Sequence, residues 1–361
     1  MLTTKRWTYI QADEGEVNEL QKQLNIHKTI CQLLVARGIK TYEEAKKFFR
    51  PSLEQLHDPF LMKDMEKAID RIEKAIAKNE TILIYGDYDV DGTTAVSLVY
   101  SFFIEIYKNV LYYIPDRYTE GYGISFQGID YSKENNATLI IALDCGIKAH
   151  DKINYATEKG IDFIICDHHL PDDTLPDAVA VLDPKRTDCT YPFDELSGCG
   201  IGFKLIQAYA QKNNISSEKI YEQLDLVAVS IASDLVPVTG ENRILAKFGV
   251  DKVNNKPRAG FKALMSELKL TRSLDITDLV FIIGPRINAA GRIAHGSEAV
   301  TLLIEENYET ALEKTKKIQQ NNTDRKSLDK DITEEAFSMI DSNEILIQKK
   351  STVLYQEHWH K

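Results

Sequence analysis

Between residues 81 and 183, five apolar, β-branched runs each stop at or beside an aspartate: 81–85 before Asp87, 110–115 at Asp116, 138–143 at Asp144, 161–166 at Asp167, and 178–182 at Asp183. Helical patterns lie between several of them. Residues 149–159 are closed by Gly160, and 64–79 carry Met65, Ala68, Ile69, Ile72, Ala75 and Ile76 at helical spacing. This alternation predicts βαβ units. Strands that are apolar throughout, rather than at alternate positions, belong to a parallel sheet covered on both faces. The expected fold class is therefore α/β, a parallel β-sheet flanked by helices. Such sheets seat ligands beyond the carboxyl ends of their strands, which is where the acids collect.

The chain has 361 residues, 43% hydrophobic and 27% charged, enough for two domains or for one with appendages. The first residues contain no apolar signal core, and no later run approaches the roughly 18 apolar residues of a membrane span. A soluble, cytoplasmic protein without membrane contact is expected. Cys31, Cys145, Cys166, Cys189 and Cys199 form no CxxC pair, which favours buried reduced thiols over a zinc site. A net charge of −11 argues against a protein coated for duplex DNA. It leaves room for a local basic groove, because a metal-binding acid cluster lowers the count without repelling substrate once its ions are bound.

Residues 1–60 read as a helical appendage, with one amphipathic pattern over 16–37 and another over 42–49. The α/β core is expected over 61–240, its last part (216–236) being one long apolar helix stopped by Pro237. A helical extension follows over 241–304 and contains a loop-like GPRINAAGR. Residues 305–340 hold neither Pro nor Gly and are dense in charge, predicting a long connecting helix over 305–341. Residues 344–348 and 352–355 look like the first strands of another domain, so the chain reads as a fragment cut at 342–361.

The densest chemistry is in YGDYDVDGTT, where Asp87, Asp89 and Asp91 occupy alternate positions. Carboxylates this close repel one another unless a cation lies between them, so a divalent metal site is expected. CDHHLPDD puts Asp167, His168 and His169 at another strand end. Adjacent histidines point different ways, so one is expected to ligate and the other to contact a phosphate oxygen or donate a proton. Asp144 closes the strand before LDCG. Asp234 ends an apolar helix, where the helix dipole disfavours an acid without a cationic partner, although Asp225 on the same helix is the alternative ligand. SGCGIGFKL lacks Walker and GxGxxG spacing and reads as a tight turn, with approach to a phosphate as the second reading. Arg117, Tyr118 and Tyr122 in PDRYTEGYG, with Arg286, Asn288 and Arg292 in GPRINAAGR, suit single-stranded nucleic acid. Arginine forks bind phosphates, and tyrosines stack on unpaired bases.

In order, DYDVDGTT, PDRYTEGYGIS, LDCG, DHH, SGCGIGFKL, SDLVP and GPRINAAGR resemble the RecJ single-strand DNA exonucleases of bacteria, a family of the DHH phosphoesterase superfamily, from about residue 54 onward. EHWHK resembles the opening of that family's second domain, DHHA1. The resemblance implies two Mn²⁺ or Mg²⁺ ions per site and removal of 5′-mononucleotides from the 5′ end of single-stranded DNA. It further implies work in DNA repair and recombination alongside single-strand-binding protein and a helicase. It carries metal binding to Asp87, Asp89, Asp91, Asp144, His168 and Asp234, contact with the scissile phosphate to His169, and the 5′-phosphate to Arg117. Tyr85 departs from the pattern, standing where many relatives have a histidine. Without most of DHHA1, the chain is expected to bind metal but to degrade DNA poorly or distributively. The alternatives are a DHH phosphoesterase acting on small phosphates, such as cyclic dinucleotides, oligoribonucleotides or pyrophosphate, and an inert RecJ-like scaffold.

Overall fold

The computed structural model describes Arg6 and residues 8–359, so the readings placed on residues 1–5, 7, 360 and 361 lie outside the described residues. Two compact units emerge, one up to Leu56 and one from His57 onward.

The first unit holds α1 (Glu14–Leu24), α2 (Lys28–Val35) and α3 (Tyr42–Phe49). The single pattern expected over 16–37 is two helices. Asn25 takes a left-handed conformation at φ 52° and ends α1, and His27 caps α2 through its side chain. Val17, Leu20, Cys31, Leu34, Val35 and Ala45 form the core of this unit.

The second unit opens with α4 (Met65–Ala77) and builds a sheet from β1 (Thr81–Gly86), β2 (Val110–Tyr113), β3 (Ala137–Leu143), β4 (Asp162–Cys166) and β5 (Ala180–Leu182). All pairings are parallel, in the order β2-β1-β3-β4-β5. The crossovers are α5 (Val90–Ile106), α6 (Phe126–Glu134) and α7 (His150–Glu158). This order reverses direction between β1 and β3, and ligands of such sheets enter the crevice at that switch. Residues 82–85 and 139–143 are fully buried, as expected for strands covered on both faces.

The remaining helices are α8 (Gly198–Lys212), α9 (Ser217–Tyr221), α10 (Leu224–Ser233), α11 (Gly240–Asn255), α12 (Ala259–Glu267), α13 (Ile276–Asp278), α14 (Gly284–Ile293), α15 (Ser297–Leu303), α16 (Tyr308–Asp341) and α17 (Glu344–Ile347). Three sequence expectations are corrected here. The single helix over 216–236 is α9 and α10, because Gln223 and Asp225 are both drawn onto Arg258, at 3.1 and 2.8 Å, which fixes a turn between them. GPRINAAGR is the helix α14, not a loop. Pro285 sits in its first turn, where a missing N–H is tolerated, and Gly284, Ala289, Ala290 and Gly291 are buried where a larger residue would hold neighbours apart. The strand expected over 344–348 is α17, capped by Asn343, and 352–355 form no strand among the described residues, there being no partner strand to satisfy their backbone. The connecting helix is present as α16, with Ala311, Thr315, Ile318, Asn321 and Asn322 buried in its first half.

Candidate metal centre

At the end of β1 the chain turns directly into α5, and each of the three aspartates meets a different fate. Asp87 is buried, and its two oxygens accept the Tyr88 amide at 2.6 Å and the Gly123 amide at 2.7 Å. Asp89 caps α5 by accepting the Gly92 amide at 3.0 Å. Gly92 is needed for the tightness of this turn, since a Cβ there would lie 2.4 Å from the Asp87 carbonyl oxygen. Asp91 is buried and accepts the amides of Gly198 and Cys199 at 2.7 and 2.8 Å, while the Ser230 hydroxyl lies 2.6 Å from one of its oxygens. SGCGIGFKL is thus the first turns of α8, and the anion at that helix N-terminus is the Asp91 carboxylate.

Asp144 follows β3 in a left-handed conformation, φ 59°, with its side chain aimed at the same point. Such backbone in a residue other than Gly persists where surrounding structure enforces it, most often at functional sites. Here α8 does so: Gly198 lies so close to Asp144 that a Cβ on it would be 2.7 Å from Asp144 Oδ1. After β4, Asp167 accepts the amides of His168, His169 and Ile147. His168 Nε2 lies 3.1 Å from Asp144 Oδ1, 3.6 Å from Asp234 Oδ2 and 3.8 Å from Asp91 Oδ2.

Those distances are not ion pairs. Burial holds the His168 imidazole below its ordinary pKa, against the pull of Asp91, so the ring is neutral near pH 7. Both of its nitrogens and both oxygens of Asp144 are buried without a hydrogen-bond partner. Burial, then the Asp91 and Asp89 charges, pushes Asp144 far above the carboxylate range, and the same causes raise Asp234. Burial and the Asp89 charge lift Asp87 to about 7. Buried Asp91 and Asp144, with half-buried Asp89 and the more exposed Asp234 beside them, repel one another around two unpartnered imidazole nitrogens, an arrangement that is costly by itself and is stabilised by cations. Ligand atoms of Asp91, His168 and Asp234 lie within 4.8 Å of one another, as do those of Asp144, His168 and His169. Mixed carboxylate and imidazole donors suit Mn²⁺ or Mg²⁺.

His169 is 44% exposed, and its Nδ1 bonds Asp167 Oδ1 at 2.7 Å. That bond outweighs burial and raises the His169 pKa. The Asp225 alternative is corrected. This acid is wholly buried in an ion pair with Arg258 at 2.8 Å, at the far end of α10 from Asp234. Tyr85 is not at the acids either. Its ring is buried in the core, stacked on Tyr113 at 5.5 Å, and its hydroxyl donates to the Gly123 carbonyl at 2.9 Å. Tyr85 and Asp87 thus hold the 115–123 loop through the carbonyl and the amide of one residue, Gly123.

In that loop Arg117 lies over the Tyr88 ring at 5.0 Å, and Tyr122, 53% exposed, meets the same ring edge-on. The Tyr118 hydroxyl donates to the Arg292 carbonyl. Asn288 and Arg292 line a cavity of about 340 Å³ together with Asp89, Asp91, Asp234 and Arg325. Arg286 does not join them: its guanidinium donates to Gln319 and to the Ile282 carbonyl, bracing α14 against α16. A second cavity of about 330 Å³ borders His169, Tyr122, Lys148 and Lys152. Sequence reasoning missed Ser230 and Arg325, and gave Gly198 only a turn's role. Ser230 stands four residues before Asp234, the spacing that puts both on one helix face, and this was a usable signal.

Residues 81–231 match the DHH family, N-terminal domain. The chain is similar to the single-stranded-DNA-specific exonucleases RecJ of Bacillus subtilis (strain 168), 40% identical over 94% of this chain and 43% of the relative, and of Escherichia coli (strain K12), 31% identical over 98% and 63%. The chain therefore spans about half the length of these curated relatives. Among solved structures it is similar to a crystal structure of exonuclease RecJ bound to manganese, with a TM-score of 0.71, 28% identity, and coverage of 79% of this chain and 71% of that one. The RecJ–Mn²⁺ structure from Thermus thermophilus has the same fold, with a TM-score of 0.80 at 24% identity over 93% of this chain and 48% of that one.

Proposed function

We propose that this chain, which carries a DHH-family domain and is homologous to the RecJ exonucleases along 94% of its length, is the catalytic part of a nuclease that removes 5′-mononucleotides from single-stranded DNA. The observation that carries the reading is the buried, unpartnered set of Asp144 oxygens and His168 nitrogens amid mutually repelling acids. When bound, Mn²⁺ or Mg²⁺, two ions per site, would supply Lewis acidity for phosphodiester hydrolysis.

The chain's own residues do the rest. Asp91, Asp144, His168 and Asp234 hold the cations, with Asp89 at the cavity edge. The α8 amides and Ser230 fix Asp91 so that it cannot swing away, and Asp87 fixes the 115–123 loop. Asp167 accepts from His169 Nδ1 and raises the pKa of the ring, so that in its protonated form His169 presents Nε2–H as a donor to a phosphoryl oxygen. Arg117, Asn288 and Arg292 bind strand phosphates. Exposed Tyr118 and Tyr122 offer faces on which unpaired bases stack, and stacking is indifferent to sequence.

The reading extends to repair and recombination in the cytoplasm, with single-strand-binding protein and a helicase as partners. No helix among the described residues is long and apolar enough to cross a membrane. The test is digestion of 5′-labelled and 3′-labelled single strands with Mn²⁺, beside Asp144→Ala. Mononucleotides released from the 5′ end by the parent chain alone support the reading; an inert parent, or one that cleaves only small phosphate esters, refutes it.

A further inference from the structure

The 340 Å³ cavity beside Asp89, Asp91 and Asp234 is also lined by two guanidiniums, Arg292 from α14 and Arg325 from the middle of α16. Arg325 is 22% exposed. One terminal nitrogen donates to Asp329 one turn along the helix at 2.9 Å, while its Nε is buried without an acceptor. The Nε of Arg292 is in the same condition. Leaving a charged donor buried and unpaired is unfavourable, and two guanidiniums short of acceptors that line one cavity suit an anion that both can share. An anion with several oxygens in the plane of a guanidinium fork both accepts its hydrogen bonds and neutralises its charge, which an uncharged base edge or sugar does not. The Asp329 bond does not remove that need, because Asp329 is 61% exposed and engages only one terminal nitrogen of the fork.

We infer that Arg325 binds phosphoryl oxygens of the nucleotide seated in this cavity, so that the connecting helix is part of the substrate site and not merely a strut. The inference rests on the phosphodiesterase reading above. A phosphate can reach the cavity from two sources, the backbone diester or a terminal 5′-phosphate, and their chemistry toward Arg325 is shared.

The test compares the parent chain with R325Q and R325K. The probes are 3′-fluorescein oligothymidylates bearing a 5′-phosphate or a 5′-hydroxyl, with Ca²⁺ replacing Mn²⁺ to separate binding from cleavage. R325Q is expected to bind about 10- to 100-fold more weakly, the loss of a charge-assisted hydrogen bond. The slope of log affinity against log salt should flatten by about 0.7, one phosphate contact fewer on a single strand. R325K should keep the slope and recover part of the affinity, and it carries the test if R325Q does not fold. Loss confined to the 5′-phosphorylated probe assigns the terminal phosphate; equal loss on both assigns the diester; either supports the inference. Binding by R325Q within about twofold of the parent, or weaker binding at an unchanged salt slope, overturns it. A parent chain that binds both probes yet cleaves neither with Mn²⁺ would refute the nuclease reading while leaving Arg325 to be judged by the binding comparison.

Discussion

Replacing Gly198 with alanine puts a methyl group 2.5 Å from Asp144 Cβ, 2.7 Å from its Oδ1 and 2.8 Å from its Cγ. Ordinary van der Waals contact begins near 3.4 Å, so one side must retreat by roughly 0.9 Å (3.4 − 2.5). If Asp144 retreats, it leaves the point where His168, Asp91 and Asp234 converge. If α8 retreats, it carries off the Gly198 and Cys199 amides that hold Asp91. Both routes distort the same cage. A displacement of about 1 Å in a catalytic constellation costs about 100-fold in rate, and overpacking of this kind destabilises by about 1–3 kcal/mol. Gly200 is the control: a Cβ there meets nothing closer than 3.4 Å, and alanine favours a helix interior over glycine by about 1 kcal/mol. Initial rates on a 5′-labelled single strand with saturating Mn²⁺, and thermal unfolding of each variant, give the comparison. G198A should be slow and G200A near parental. If G198A cleaves within about threefold of the parent, the close approach of α8 does not position the carboxylates, and the reasoning fails.

Ser230→Ala removes a hydroxyl that lies between Asp91 and Ser197, and should weaken Mn²⁺ binding by about 10-fold, as loss of a ligand's supporting hydrogen bond does, measured by calorimetry. Asp225→Asn strands the half-buried Arg258 charge against its wholly buried partner position and should cost about 3 kcal/mol in chemical denaturation, while the folded fraction keeps its Mn²⁺ affinity because Asp225 lies at the other end of α10 from Asp234. Tyr85→Phe frees the Gly123 carbonyl and should cost about 1 kcal/mol, with the 115–123 loop turning more sensitive to limited proteolysis. Metal-free protein should lose stability as pH rises from about 4 to about 7. Unfolded carboxyls ionise near 3.8, whereas Asp87 keeps its proton to about 7 and Asp234 is raised by the same burial and repulsion, so the folded state binds more protons across that window. Melting temperatures with and without Mn²⁺ would show it, the ion reversing the trend; a flat metal-free profile would contradict it.

The sheet and its acid-tipped strands were legible because a parallel strand covered on both faces has to be apolar throughout and polar only where it ends. Asp91, Asp144 and His168 were readable as candidate ligands for the same reason, and Asp234 because an acid at a helix end wants a cation. What surrounds them was not. The amides that hold Asp91 come from α8, more than 100 residues away (Gly198 to Asp91), and only the crossovers bring them there. GPRINAAGR looks like a loop because glycine and polar residues punctuate it, yet the small residues allow α14 to pack closely. Arg325 is one cation in a charge-dense helix, and no periodicity distinguishes it from its solvated neighbours. Asp116, a strand-end acid by pattern, instead accepts the Tyr118 and Thr119 amides of its own loop, away from the other acids.

Four segments, after β1, after β3, after β4 and at the end of α10, contribute Asp91, Asp144, His168 and Asp234 to one cluster, in two overlapping groups that share His168. No contiguous stretch of chain can reproduce that coordination, so ion affinity doubles as a gauge of tertiary integrity. Transient opening of any one of the four would release the ion, and bound Mn²⁺ or Mg²⁺ must therefore slow amide exchange in β1, β3, β4 and α10 together, tying them into one cooperative block while the helices of the first unit exchange at their own pace.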